Sequence, residues 1–164
     1  MFDSTYRMLK MFAVAGRIRG RKKLQKMVYL LSTAGTPFHY KYQYYHFGPY
    51  SAELQTEIGD LVDQQLLTET NEDQAYVYEL TEQGRLYLER LQKQAKYEDQ
   101  LDPQLIHLLT EQSSPFLEIV STYAFLLRSG DQPAEARRKA AELKKHLQDS
   151  LDEAVQYVHT RILS

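Results

Sequence analysis

The spacing of apolar residues predicts two helices at the start of the chain. Apolar side chains recur every three or four positions over residues 4–15 and again over residues 21–33, and Gly35 and Pro37 follow the second segment. This spacing places the apolar positions of each segment on one helix face. The second helix has a predicted buried stripe of Leu24, Met27, Val28 and Leu31, with Lys22, Gln25 and Lys26 facing outward.

From Phe38 onward the apolar period falls to two residues, which predicts a strand with one tyrosine-rich face packed in the core. One side of it consists of Phe38, Tyr40, Tyr42 and Tyr44, and the other of His39, Lys41 and Gln43. A turn over residues 47–50 follows, and Ser51 is predicted to cap a third helix that reaches Leu66.

Residues 66–70 and 75–80 are typical of a β-hairpin, and we interpret this hairpin as a wing. Thr81 then caps a fourth helix. Gly84 lies early in that helix, where we expect the helix backbone to approach a neighbouring element closely.

The second half of the chain predicts three more helices. Polar residues 95–102 are interpreted as a joint, after which Asp102, Ser114 and Asp131 each stand near a proline that begins a helix. The last helix has a long apolar stripe made of Ala136, Ala140, Leu143, Leu147, Leu151, Ala154, Val158 and Ile162. This stripe predicts packing along the whole helix and a homodimer through it.

The predicted fold is therefore mainly α with a small antiparallel sheet. It consists of a winged-helix-like domain over residues 1–95 and a C-terminal helical extension over residues 96–164 that packs on it. Only one helix separates the first predicted strand from the hairpin, whereas the usual winged order has two.

Composition excludes several classes of protein. The 164 residues include no cysteine, so neither a disulfide framework nor a thiolate metal site is available, and no apolar run approaches the roughly 18 residues that a spanning helix needs. Asp3, Arg7 and Lys10 interrupt the apolar N-terminus, which is unlike a secretory signal. We expect a cytoplasmic protein that does not insert into membranes.

Charge is distributed unevenly, although the net charge is only −2. Residues 1–41 have nine Lys or Arg and one acid, whereas residues 42–84 have nine Asp or Glu and no Lys or Arg. The basic start of the second helix adds cations to backbone N–H groups that already favour anions, which is typical of a site for a phosphate or carboxylate. Alternatively, these cations pair with the acidic segment of the same chain.

The predicted partner-binding residues combine these cations with nearby aromatic and histidine side chains. They are Arg21, Lys22, Lys23, Lys26, Tyr45, His46 and Tyr50. His39 and His46 lack further ligands nearby, so we expect neither a metal nor another cofactor. No phosphate loop or nucleophile motif is present, and the sequence predicts a protein that is not an enzyme.

Two segments together resemble a known family. GRKKLQKMVYLL at residues 20–31 and YHFGPYSAEL at residues 45–54 are similar to the Panacea, or SocA-like antitoxin, domain and to the small bacterial YwgA-like proteins. The most specific residues are Lys23, Leu24, Gln25, Lys26 and Tyr29 together with Gly48, Pro49, Tyr50 and Ser51. The resemblance implies a regulatory, antitoxin-like or adaptor protein that acts by protein contact, here with a partner that has an acidic surface.

The alternative function is a dimeric winged-helix regulator of transcription. In such proteins the helix before the wing enters the major groove, but here residues 51–66 include four acids and no cation, and the hairpin loop is acidic as well. DNA contact would fall to Arg17, Arg19, Arg21, Lys22 and Lys23, or to Arg137, Arg138, Lys139, Lys144 and Lys145. DNA is therefore the second choice of partner.

Overall fold

A computed structural model describes residues 3–94 and 101–163, so most of the predicted joint lies outside the described residues. The described chain is mainly helical with small antiparallel sheets, as predicted. The helices are α1 Asp3–Ala15, α2 Arg21–Ala34, α3 Ala52–Asp63, α4 Glu82–Gln94, α5 Pro103–Glu111, α6 Ser114–Arg128, α7 Pro133–Leu143 and α8 Leu151–Tyr157. Within residues 3–94 and 101–163, no helix combines the length and apolar character needed to cross a membrane.

The strands form two antiparallel sheets. They are β1 Arg17–Arg19, β2 Gln43–Tyr45, β3 Gly48–Tyr50, β4 Leu67–Glu72 and β5 Ala75–Leu80. The order of the first sheet is β1-β5-β4, and β2 pairs with β3 in the second. The predicted β4–β5 hairpin is confirmed, but β1 was not predicted, because three residues between two helices give no periodic signal. One helix, α3, lies between the predicted tyrosine-rich strand and the hairpin, as expected, but two helices, α2 and α3, lie between the unpredicted β1 and the hairpin.

The predicted strand from Phe38 to Tyr44 is wrong in most of its length. Only Gln43–Tyr45 forms a strand, which pairs with Gly48–Tyr50. The alternation of burial is nevertheless real, since Phe38 is buried and Tyr40, Tyr42 and Tyr44 are partly buried between exposed neighbours. The side chains alternate because they cover the core, but among residues 3–94 and 101–163 no strand pairs with residues 38–42.

Helix α2 is surrounded by the rest of the protein. Residues 24–31 are all buried, including Gln25 and Lys26, so the prediction that these two side chains face outward is wrong. The reason is tertiary: α5, α6 and β3 cover sides of α2 that an ordinary surface helix leaves to solvent. The basic start of the helix is as predicted, because α2 begins at Arg21.

The long last helix is also not observed. Lys144, with φ of −123° and ψ of 53°, interrupts it, and a 3₁₀ segment Lys145–Ser150, helix α8 and a π-helical turn Val158–Ile162 follow. Much of the apolar stripe lies in the protein's own core, namely Ala136, Ala140, Leu151, Ala154, Val158 and Ile162. Since these residues pack within the chain, they give no support to the homodimer, which stays a prediction.

Candidate functional site

A pocket of about 220 Å³ lies between the start of α2 and the β2–β3 hairpin. Its lining residues are Arg21, Lys22, Gln25, Lys26, Tyr45, Phe47, Gly48, Pro49, Tyr50 and Gln55. The structure thus brings together Arg21, Lys22, Lys26, Tyr45 and Tyr50 from the predicted partner-binding set. The pocket combines aromatic walls with several cations.

Hydrogen bonds fix the hairpin to the helices beneath it. The side-chain amide of Gln25 donates to the Ser51 carbonyl and accepts from the Ser51 N–H, with both distances 2.9 Å. Ser51 also caps α3, because its hydroxyl accepts from the N–H of Leu54. Gly48 has a positive φ of 108°, and a Cβ there would lie 3.3 Å from the hydroxyl oxygen of Ser121 on α6. The hairpin that forms one wall of the pocket is therefore held in place by buried contacts.

The rim of the pocket is aromatic and exposed. Tyr45 and Phe47 have exposed fractions of 52% and 49%, which are high for large apolar side chains. The ring of Tyr45 meets Tyr50 edge-on with centroids 5.4 Å apart. Lys22 places its ammonium 3.2 Å from the Phe47 ring centroid, a cation–π contact, and it forms no ion pair within the described residues. The rim therefore offers apolar surface beside a cation that has no acidic partner there.

Arg21 is bound to the acidic part of the chain. Its guanidinium donates to the Tyr78 hydroxyl at 3.1 Å, pairs with Glu69 at 3.3 Å and lies over the Tyr76 ring. Arg17 likewise pairs with acids of the hairpin, Glu72 and Glu79. For Arg21 the structure bears out the alternative in which a cation at the start of α2 pairs within the chain.

A buried cluster of charges adjoins the pocket through Lys26, one of its lining residues. Lys26 and Lys144 have exposed fractions of only 2% and 3%, and both contact the buried Glu118 of α6 at N–O distances of 3.6 and 3.2 Å. The Lys144 ammonium also donates to the His46 carbonyl at 2.7 Å, and the exposed His146 lies 3.6 Å from Glu118. Two buried ammonium groups thus share one carboxylate.

Burial lowers the pKa of Lys26 from 10.5 to about 8. Desolvation is the main cause, since removal from water disfavours the charged form, and the positive charges of Lys22 and Lys144 act in the same direction. Glu118 opposes the shift but does not cancel it. A part of the Lys26 side chains is therefore neutral at slightly alkaline pH.

The other two predicted residues lie beside the pocket. Lys23 is directed away from it and donates to the Thr110 carbonyl at 2.5 Å. His46 has an exposed side chain and borders a separate hollow with Leu143 and Lys144. Sequence reasoning missed Glu118 altogether, although a single acid in the apolar first three turns of α6 is a signal that could have identified it. Across the described parts of the chain, no three His, Asp or Glu side chains are grouped as a metal ion requires.

Lys26→Met is expected to leave the free energy of unfolding at pH 7 unchanged or to raise it by about 1–3 kcal/mol. The reason is that Glu118 keeps Lys144 as its partner. The folded pKa of Lys26 lies below the unfolded one, so the unfolded chain binds the proton more tightly, and wild-type stability should rise as pH increases from about 8 towards 10.5. The variant should lack this rise. Urea unfolding at pH 7 and pH 9.5 measures the difference, with the exposed Lys93→Met as the control that retains the rise. An equal pH response in both variants would contradict the burial of Lys26.

These features define a mainly helical protein with small antiparallel sheets and a basic, aromatic pocket under a fixed hairpin. No family model matches the chain. It is 35% identical over 166 residues to the uncharacterized protein YwgA of Bacillus subtilis (strain 168), and the match covers 96% of both chains. The protein belongs to the YwgA family, as the resemblance indicated.

Proposed function

We propose that this protein is a non-enzymatic regulator or adaptor that binds a protein partner through the hairpin rim and the pocket beneath it. The observation that supports this most is the pair of half-exposed aromatic side chains, Tyr45 and Phe47, beside Lys22. Exposed aromatic residues with adjacent cations are typical of the centre of protein interfaces. An acidic partner surface complements them, and the resemblance to the Panacea domain makes a toxin one hypothesis for the partner. We propose that this binding takes place in the cytoplasm because the sequence has no cysteine.

The proposed scaffold is winged-helix-like. The order α1, β1, α2, α3, β4, β5 supports this, since two helices, α2 and α3, lie between β1 and the β4–β5 hairpin. The β2–β3 hairpin is then an insertion between those two helices. In this arrangement the insertion, rather than the helix before the wing, provides the exposed aromatic surface. A likeness of scaffold does not itself determine the partner.

The charges of the surface favour protein over DNA as the partner. Helix α3, which precedes the wing, exposes Glu53, Asp60 and Asp63. Many of the cations that could contact DNA in place of α3 are already in ion pairs, namely Arg17, Arg21, Arg137, Arg138 and Lys139. A polyanion would meet acids where winged proteins present cations.

Lys22→Glu combined with Phe47→Ser is expected to reduce partner binding by more than about tenfold, because it reverses the unpaired charge and removes the exposed ring. Both side chains are exposed, so folding should be retained. The matched control is Lys93→Glu with Leu86→Ser, which makes the same changes on exposed positions of α4. Affinity purification from the native host, followed by titration of the purified partner, compares the two.

Equal binding by both double variants would reject the hairpin as the binding surface. A mobility-shift titration at two salt concentrations tests the DNA alternative with the same proteins. Specific, strongly salt-dependent binding of a short duplex would favour a transcriptional regulator instead.

A further inference from the structure

The buried charge cluster that adjoins the pocket through Lys26 has two ammonium groups for one carboxylate. Lys26 and Lys144 face Glu118, and Lys22 of the same helix adds positive potential at Lys26. Buried charges in proteins are normally paired, since an unpaired one loses its hydration without compensation. The described residues that line the pocket include no acid that could supply the missing negative charge.

The walls of the pocket indicate what kind of anion would fit. Tyr45, Phe47, Pro49 and Tyr50 are apolar or aromatic, so they suit a group with an apolar stem. The partner proposed above has an acidic surface, and the anions of such a surface are carboxylates, which Lys22 and Lys26 in the pocket lining would complement. A volume of about 220 Å³ admits one side chain but not a helix.

We propose that the pocket binds a carboxylate on an apolar stem, presented by the acidic partner segment as a side chain or a C-terminus. The inference rests on the protein-binding function proposed above and specifies what the partner inserts. The carboxylate pairs with the Lys26 ammonium, while its stem lies between the hairpin aromatics. An anion at this position raises the pKa of Lys26 above its present value of about 8, because it favours the charged form.

The probe is phenylacetate, with phenylacetamide as its uncharged analogue of the same shape. In NMR titrations of the full chain at millimolar probe concentration, the acid is expected to shift hairpin resonances saturably, and the amide is not. Binding should weaken by about tenfold from pH 7 to pH 9.5, where Lys26 is largely neutral. Lys26→Met should abolish binding, and Lys93→Met on α4 should preserve it.

The pKa of the Lys26 ammonium is a direct measure of carboxylate binding. The ¹³Cε titration of Lys26 should show a pKa that rises by at least about one unit in the presence of phenylacetate. Absence of binding, equal binding of the amide, or unchanged binding to Lys26→Met would each overturn the proposal.

Measurements of partner binding distinguish the carboxylate pocket from the protein-binding function on which it rests. Phenylacetate is expected to compete with the purified partner, and Lys26→Met is expected to weaken partner binding without loss of fold. Partner binding that depends on Lys22 and Phe47 but is unaffected by Lys26→Met would overturn the carboxylate pocket and leave the protein-binding function intact. Phenylacetate binding without any partner would instead assign the pocket to a free acid and reject the protein-binding function.

Discussion

Gly84→Ala is expected to lower the free energy of unfolding by about 2–4 kcal/mol, with a fall in Tm of about 5–15 °C. An ideal Cβ at this position would lie 2.1 Å from the backbone oxygen of Leu66 and 3.0 Å from a methyl group of Leu80. The Leu66 oxygen cannot easily move away, because it accepts hydrogen bonds from the N–H and the hydroxyl of Thr81 at 3.0 and 3.1 Å. Relief of the clash would therefore disrupt the contact between α4 and the hairpin.

Gly59→Ala is the matched control for this clash. Gly59 lies within α3, and a Cβ there meets nothing within 4 Å. Alanine should stabilise the helix by about 0.5–1 kcal/mol, since it loses less conformational entropy than glycine on folding. Thermal unfolding of both variants measures the contrast. A Gly84→Ala protein as stable as the wild type would show that α4 does not approach Leu66 so closely.

Glu118→Gln is expected to destabilise the protein at pH 7 by about 3–5 kcal/mol. The substitution keeps the shape of the side chain but removes the only acid that Lys26 and Lys144 contact within the described residues. Two buried ammonium groups then lack a counter-charge, and the protein must either bury them unpaired or release their protons. Urea unfolding provides the measurement.

Lys26→Met in the Glu118→Gln background should recover part of the lost stability, because only Lys144 then stays buried without its acid. Glu111→Gln, at an exposed position on α5, is the control and should change stability by less than about 0.5 kcal/mol. If Glu118→Gln and Glu111→Gln changed the free energy of unfolding by the same small amount, the result would contradict the buried charge cluster.

Local signals predicted the elements that depend on neighbouring residues in the sequence. Ser51 caps α3 and Thr81 accepts from the N–H of Gly84, as their positions before helices predicted. The expectation that Gly84 marks a close approach is confirmed by the position of Leu66. Capping involves contacts over three or four residues, so residue types predict it well, although the cap of α6 is Ser113 rather than Ser114 and that of α7 is Gln132 rather than Asp131.

Elements that depend on distant partners were predicted poorly. The strand β1 exists because Arg17–Arg19 pairs with β5, some sixty residues later in the chain. Residues 38–42 have the alternation of a strand but no such partner in the part of the chain that the structure describes. The long last helix breaks where Lys144 leaves helical geometry and places its ammonium between Glu118 and the His46 carbonyl. Strand pairing and burial are set by residues that sequence periodicity does not connect.

The candidate site shows the same difference between features set by local sequence and features set by distant segments. The amino-acid sequence by itself determined the basic start of α2 and the aromatic content of residues 40–50, because charge and aromatic content are properties of the residues, and it predicted a binding surface from them. Only the tertiary structure decided that Arg21 is paired with Glu69, that Lys22 lies over the Phe47 ring at the rim and that Lys26 is buried against Glu118. Whether a charge is paired, exposed or desolvated depends on what other segments place around it, and that environment exists only in the folded chain.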